Sequence, residues 1–133
     1  MREILFRGKD ENGNWHYGDL SLTHCYGPHI ITEIYHVDGA EFNVYDHTII
    51  PETVGQFTGL TDKNGKNIFE GDICNDRYGF VGVVEYFDEF GGFVVKHEYK
   101  DRIVSIQLDV NRNKFEVIGN LFENPEMRNL FRK

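Results

Sequence analysis

The chain has 133 residues, 40% of them apolar, with eleven Phe and seven Tyr, and a formal charge of -8. That length and apolar content suit one domain or two small ones around a real core, and they exclude global disorder. Three basic residues stand against eight acidic ones in residues 1–50, and eleven against fourteen in residues 51–133, so neither half offers the cationic surface that phosphate neutralisation needs, and direct nucleic-acid binding is not expected.

The opening, MREILFRGKD, has an apolar run too short for a secretory signal, and no later stretch approaches the ~20 apolar residues of a spanning helix. Two cysteines, Cys25 and Cys74, do not make a disulfide scaffold. The expectation is a cytoplasmic protein with reduced thiols and no membrane association.

Strand signals recur at short intervals, separated by Gly and Asn turns. Ile4–Phe6 and Trp15–Leu20 flank Asn12-Gly13, which predicts a type I′ hairpin turn. His29–Ile34 and Phe42–His47 read as two further strands. Val81–Phe87 and Phe93–Tyr99 flank Gly91-Gly92, a second hairpin signal. Val104, Ile106, Leu108 and Val110 alternate with polar residues, as in a strand with one buried face. Phe115–Ile118 follows the polar turn Asn111–Lys114. One helix is predicted, at the C-terminus: Asn124 is placed to cap it, Pro125 suits its first position, and Met127, Leu130 and Phe131 form its apolar face.

Residues 6–20 and 57–73 echo each other. Both carry F-x-G, then D-x-N-G, then G-D and an aliphatic residue, at an offset of 51 to 53. Gly, Asn and Asp recur in turns for their own reasons, so shared turn chemistry is the favoured reading, with duplication left open.

The second of these stretches, Val54–Cys74, is where chemistry would be sought. Asp62–Gly65 resembles the start of a calcium loop, but the twelfth position is Ile73 rather than Glu and flanking helices are missing, which leaves a hairpin turn. Glu70 and Asp72 form an i, i+2 carboxylate pair that would share one face of a strand. No partner stands at a useful spacing, and Gly71-Asp72-Ile73 reads instead as the lead-in to a strand of a small SH3-type barrel. His24, Cys25 and His29 cluster without a metal-ligand pattern, so no metal is expected. No nucleophile elbow, phosphate loop or dinucleotide fingerprint is present, so no catalytic or cofactor-binding residues are assigned. The aromatic residues Trp15, Tyr17, Phe57, Phe69, Tyr78, Tyr86 and Phe87 are read mainly as core. The candidate surface is Gln56, Thr58, Asp62, Asn64, Glu70 and Asp72, with Gly13, Gly59, Gly65 and Gly71 as turn glycines.

V-G-Q-F-T-G-L-x-D-x-x-G-x-x-I-F-E-G-D-I resembles the central signature of the YopX family of phage and prophage proteins. Phe6–Leu20 is similar to its N-terminal block and Glu116–Met127 to its C-terminal one, although the family more often has Leu where Met127 stands. The resemblance implies a β-rich chain with an SH3-like barrel in its C-terminal part, in a phage or prophage setting within the bacterial cytoplasm. It brings no catalytic residues. The fold expected is therefore mainly β: an N-terminal β region at 1–50, then a small SH3-like barrel with a short C-terminal helix at 51–133. The function expected is a binding or assembly module rather than an enzyme. It would self-associate into a homo-oligomer through exposed strand edges or engage a host or phage protein. Two alternatives stay open: an acidic decoy for a basic host protein, and a small hydrolase or nuclease using Glu70, Asp72 or Asp62.

Overall fold

A computed structural model describes residues 3–22, 27–89, 91–100, 102–108 and 115–131, with 33–37, 41–45 and 99 described by backbone alone. The chain is mainly β, with eleven strands in two antiparallel sheets and short 3-10 turns at Pro51–Thr53 and Pro125–Leu130 among the described residues. It divides into two compact units, Met1–Phe57 and Thr58–Lys133.

The first unit holds β1 (Phe6–Lys9), β2 (Trp15–Ser21), β3 (His29–Val37), β4 (Ala40–Thr48) and the start of β5 (Gly55–Thr61). Their ladder runs β4-β3-β2-β1-β5. The β3–β4 hairpin is longer than the sequence reading gave, because Asp38 and Gly39 both adopt positive φ (50° and 80°) and make a two-residue turn. Ile30, Ile49 and Phe57 are buried. After β4 the chain returns to β1: Ile50 donates its N–H to Lys9 O, and the Thr53 hydroxyl donates to Ile50 O while accepting the Lys9 N–H. Ile49 lies over Gly8, where a Cβ would come within 2.3 Å of its Cδ1. The ring of His16 stacks on that of His47 at 3.7 Å and donates through Nε2 to Asp10 at 2.8 Å.

The second unit holds the rest of β5, then β6 (Asn67–Phe69), β7 (Asp72–Asn75), β8 (Val81–Phe87), β9 (Gly92–Tyr99), β10 (Arg102–Gln107) and β11 (Glu116–Asn120). Five of these form a sheet in the order β10-β9-β8-β7-β11. That ladder is open, ending on β10 and β11, and does not close into a ring among the described residues. Its central strands are buried on both faces. Cys74, Val84 and Val95 pack with Ile68, Leu108 and Phe115 on one side, and Ile73 and Val83 pack with Phe131 on the other. Burial on both faces explains the near-continuous apolar run of β8, which simple alternation would not predict.

Two expectations change. Leu108, just after β10, is buried and Ile106 packs on the core, but Val104 is 47% exposed. The strand lies at the sheet edge, and its apolar alternation covers core only at its C-terminal end. Val110 and the turn Asn111–Lys114 fall outside the described residues. The C-terminal helix is a 3-10 turn over Pro125–Leu130, with Asn124 at its N-cap position but turned to other work: its Oδ1 accepts the Asn120 N–H. Phe131 follows the turn as its C-cap, at φ -127°, and packs in the core beside Met127, while Leu130, the last residue of the turn, is 45% exposed. Phe131→Ala is expected to cost about 3–5 kcal/mol in denaturant unfolding, whereas Leu130→Ala should stay within about 0.5 kcal/mol.

Candidate functional site

The signature segment Val54–Cys74 is built as β5, a turn, β6, a second turn and β7. Its first turn runs from Asp62 to Lys66. Asp62 N–H donates to Lys66 O and Gly65 N–H to Asp62 O, with Gly65 at φ +83°. Asp62 Oδ1 accepts the N–H groups of Asn64 and Lys66. This is the hairpin turn expected at Asp62–Gly65, in type I form closed by a left-handed glycine. The carboxylate decides the outcome, because it holds the two residues after Asp62 in the turn.

The same arrangement occurs at Asp10, whose Oδ1 accepts Asn12 and Asn14 N–H, with Gly13 at φ +86°. It occurs a third time at Asp76, whose Oδ1 accepts Tyr78 and Phe80 N–H, with Gly79 at φ +87°. The third copy lacks the flanking F-x-G and G-D elements; its only trace in the sequence is the Asp-x-x-Gly spacing. Outside the turn the two echoing stretches diverge. Gly59 and Gly71 have positive φ, while Gly8 and Gly18 do not; Asp72 is 2% exposed, while Asp19 is exposed. The echo is structural in the turn alone.

Asp62 does one thing the other two do not. Its Oδ2 accepts the N–H of Val117 on β11 at 3.0 Å, and Lys63 N–H donates to Phe115 O. One carboxylate thus fixes its own turn and the outer side of a strand distant in sequence. Burial pushes this carboxyl up, and the N–H groups of Val117, Lys66 and Asn64 more than offset it, so it ionises below the ordinary value of 3.8.

The other signature residues are placed as follows. Gln56 lies in the first unit, opposite Phe6 on the β1–β5 ladder. Thr58 is buried, donating its hydroxyl to Ile68 O and accepting the Leu60 N–H. Asn64 is exposed and reaches Glu116 Oε1 at 3.4 Å, where Lys63 pairs with the same carboxylate at 3.3 Å. Glu70 is half-buried in the β6–β7 turn, outside any strand, while Asp72 opens β7, so the two do not share a strand face. Asp72 Oδ2 accepts the Phe69 N–H. Gly71, at φ +88°, donates to Val84 O and accepts from Leu121 N–H, joining β7 to β8 and to the turn after β11. Thr58, Asp62 and Asp72 therefore spend polar atoms on backbone groups, a scaffold's use of them.

Among the described residues no group of three His, Cys, Asp or Glu side chains is placed to hold a metal. His24 and Cys25 fall outside the described residues. His29 is buried between Gly27 O, 2.9 Å from Nδ1, and the Thr48 hydroxyl, 2.9 Å from Nε2. Sequence reasoning passed over the cross-strand cation Lys96, which pairs with Glu85 at 2.9 Å and Glu98 at 3.4 Å. The Glu85 hydrogen bond outweighs burial and raises the Lys96 ammonium above 10.5. No helix among the described residues is long and apolar enough to cross a membrane.

Two antiparallel sheets and three Asp-anchored turns define a mainly-β protein in which Thr58, Asp62 and Asp72 of the signature segment bond backbone groups. The chain belongs to the YopX family: the family model described as YopX protein matches residues 5–128. The crystal structure of protein EF1440 from Enterococcus faecalis has a similar fold, with a TM-score of 0.54 at 22% identity over 96% of this chain and 99% of that one. No curated protein sequence matches the chain.

Asp62→Ala is expected to cost about 2–4 kcal/mol, since it strands backbone donors at two places, and Asp76→Ala about 1 kcal/mol, since only one turn loses its anchor. Urea midpoints of the two variants check this. A pH dependence follows from the same turns. The Asp10 carboxyl is drawn from 3.8 down to about 2, first by the His16 hydrogen bond and then by the Asn14 N–H. Folded Asp10 and Asp62 hold protons less tightly than in the unfolded chain. Their stabilisation is complete above the ordinary carboxylate pKa and is lost as pH falls from 3.8 through the folded value. An Asp10→Asn variant should lose less stability over that range than the parent, measured by denaturant unfolding at each pH.

Proposed function

We propose that the chain is a binding and assembly module made from a phage or prophage gene, acting in the bacterial cytoplasm by associating with itself. The observation that carries this reading is the use made of the signature: Thr58, Asp62 and Asp72 hold backbone N–H and C=O groups rather than facing a common reactive point. The segment most characteristic of the family is then a device for presenting strands. A carboxylate-dependent hydrolase is a poorer match, because Asp62 is engaged at both oxygens and Asp72 is buried against its own turn.

Multi-angle light scattering of the purified protein is expected to give one defined oligomer mass across a dilution series. A monomer mass at the highest concentration reached would remove the self-association half of the reading. The charge of -8 also suits capture of a basic host protein. That second mode predicts co-purification that weakens steeply as salt is raised.

A further inference from the structure

We infer that β10 is the surface through which two copies of this chain join, by antiparallel pairing of Arg102–Gln107 with the same strand of the second copy. The inference rests on the self-association proposed above and names the interface for it.

Among the described residues β10 ends its sheet, and its one ladder partner is β9. Leu108 N–H donates to Phe93 O, and the alternation of an antiparallel ladder then turns the backbone groups of Ile103 and Ser105 away from β9. Arg102, Ile103, Val104 and Ser105 are all exposed, with Ile103 at 63% and Val104 at 47%, so β10 carries apolar side chains on both faces at its open edge. Such an edge is a template for another strand.

Charge selects the occupant. Two chains of -8 repel each other except where acids are absent. Arg102–Gln107 contains no Asp or Glu and a single cation. The other end strands are less suited. β4 carries Glu41 and Asp46, β6 has three residues, and β11 carries Glu116 and has its Val117 N–H taken by Asp62.

The strand also fits itself. A two-fold axis at Val104 sets Val104 against Val104 of the second copy. It sets Ile103 opposite Ser105, and Arg102 opposite Ile106, so no like charges face each other. The outward groups of Ile103 and Ser105 then meet across the axis as hydrogen-bonded pairs.

Three preparations test this by light scattering and non-reducing gels. Ser105→Pro removes an outward N–H and leaves the β9–β10 ladder intact, since proline is tolerated on an edge strand. Its circular dichroism should match the parent, and its dissociation constant should rise at least about tenfold. Val104→Cys should form a disulfide-linked dimer on mild oxidation that the parent, with Cys25 and Cys74, does not form. The paired Cα atoms would lie about 4.5 Å apart, within disulfide reach. If the parent is oligomeric but Ser105→Pro is equally so and Val104→Cys does not cross-link, the β10 interface is wrong and the assembly reading stands. If the parent is monomeric at every concentration, both fall.

Discussion

The carboxylate of Asp62 is the constraint on which most of the second unit depends. It accepts three backbone N–H groups, two from its own turn and one from β11. The first two fix where β5 reverses into β6. The third holds β11, whose other side pairs with β7. A buried carboxylate left alone would take up a proton, but here N–H donors more than offset the loss of solvent and keep it charged. The charge is what makes each bond stronger than one between neutral groups.

Gly71 and Asp72 extend the same logic. Gly71 places its N–H on β8 and its carbonyl on the turn after β11, so a left-handed residue serves two neighbours at once. Asp72 ties the preceding Phe69 N–H and pairs with Asn120 on β11, and Asn120 in turn caps the N–H groups of Phe122 and Glu123. The central and C-terminal family blocks thus meet in space through backbone-directed side chains. Residues whose side chains serve the main chain gain little from substitution, which gives a physical reason for a recognisable motif.

Much of the fold was legible in the residues. Val81–Phe87 and Phe93–Tyr99 read correctly as a hairpin because β-branched and aromatic residues bracket a glycine turn. The turn type at Asn12-Gly13 did not, because the dipeptide rule ignores an Asp two residues earlier that can hold the loop by its side chain. Leu130 and Phe131 were placed on one face because the helix was read as running through both, whereas it ends at Leu130 and Phe131 leaves it as the C-cap at φ -127°. The candidate site was legible as a segment but not as a role. Asp62 and Val117 lie 55 residues apart, and no local pattern reports that one bonds the other.

The C-terminal contact carries a kinetic meaning. Phe131 fills the space over Ile73 and Val83, and its carbonyl accepts the Glu98 N–H like an added ladder rung. β8, β9 and β10 are joined by short turns and close small loops, whereas Phe131 must return across some 50 residues to reach Val83. Loop closure at that separation comes late, so the meander forms first and the tail seals it. Contacts formed after the transition state set how fast a protein comes apart rather than how fast it forms. The seating of Phe131 is therefore expected to weigh more on how slowly the second unit unfolds than on how fast it forms.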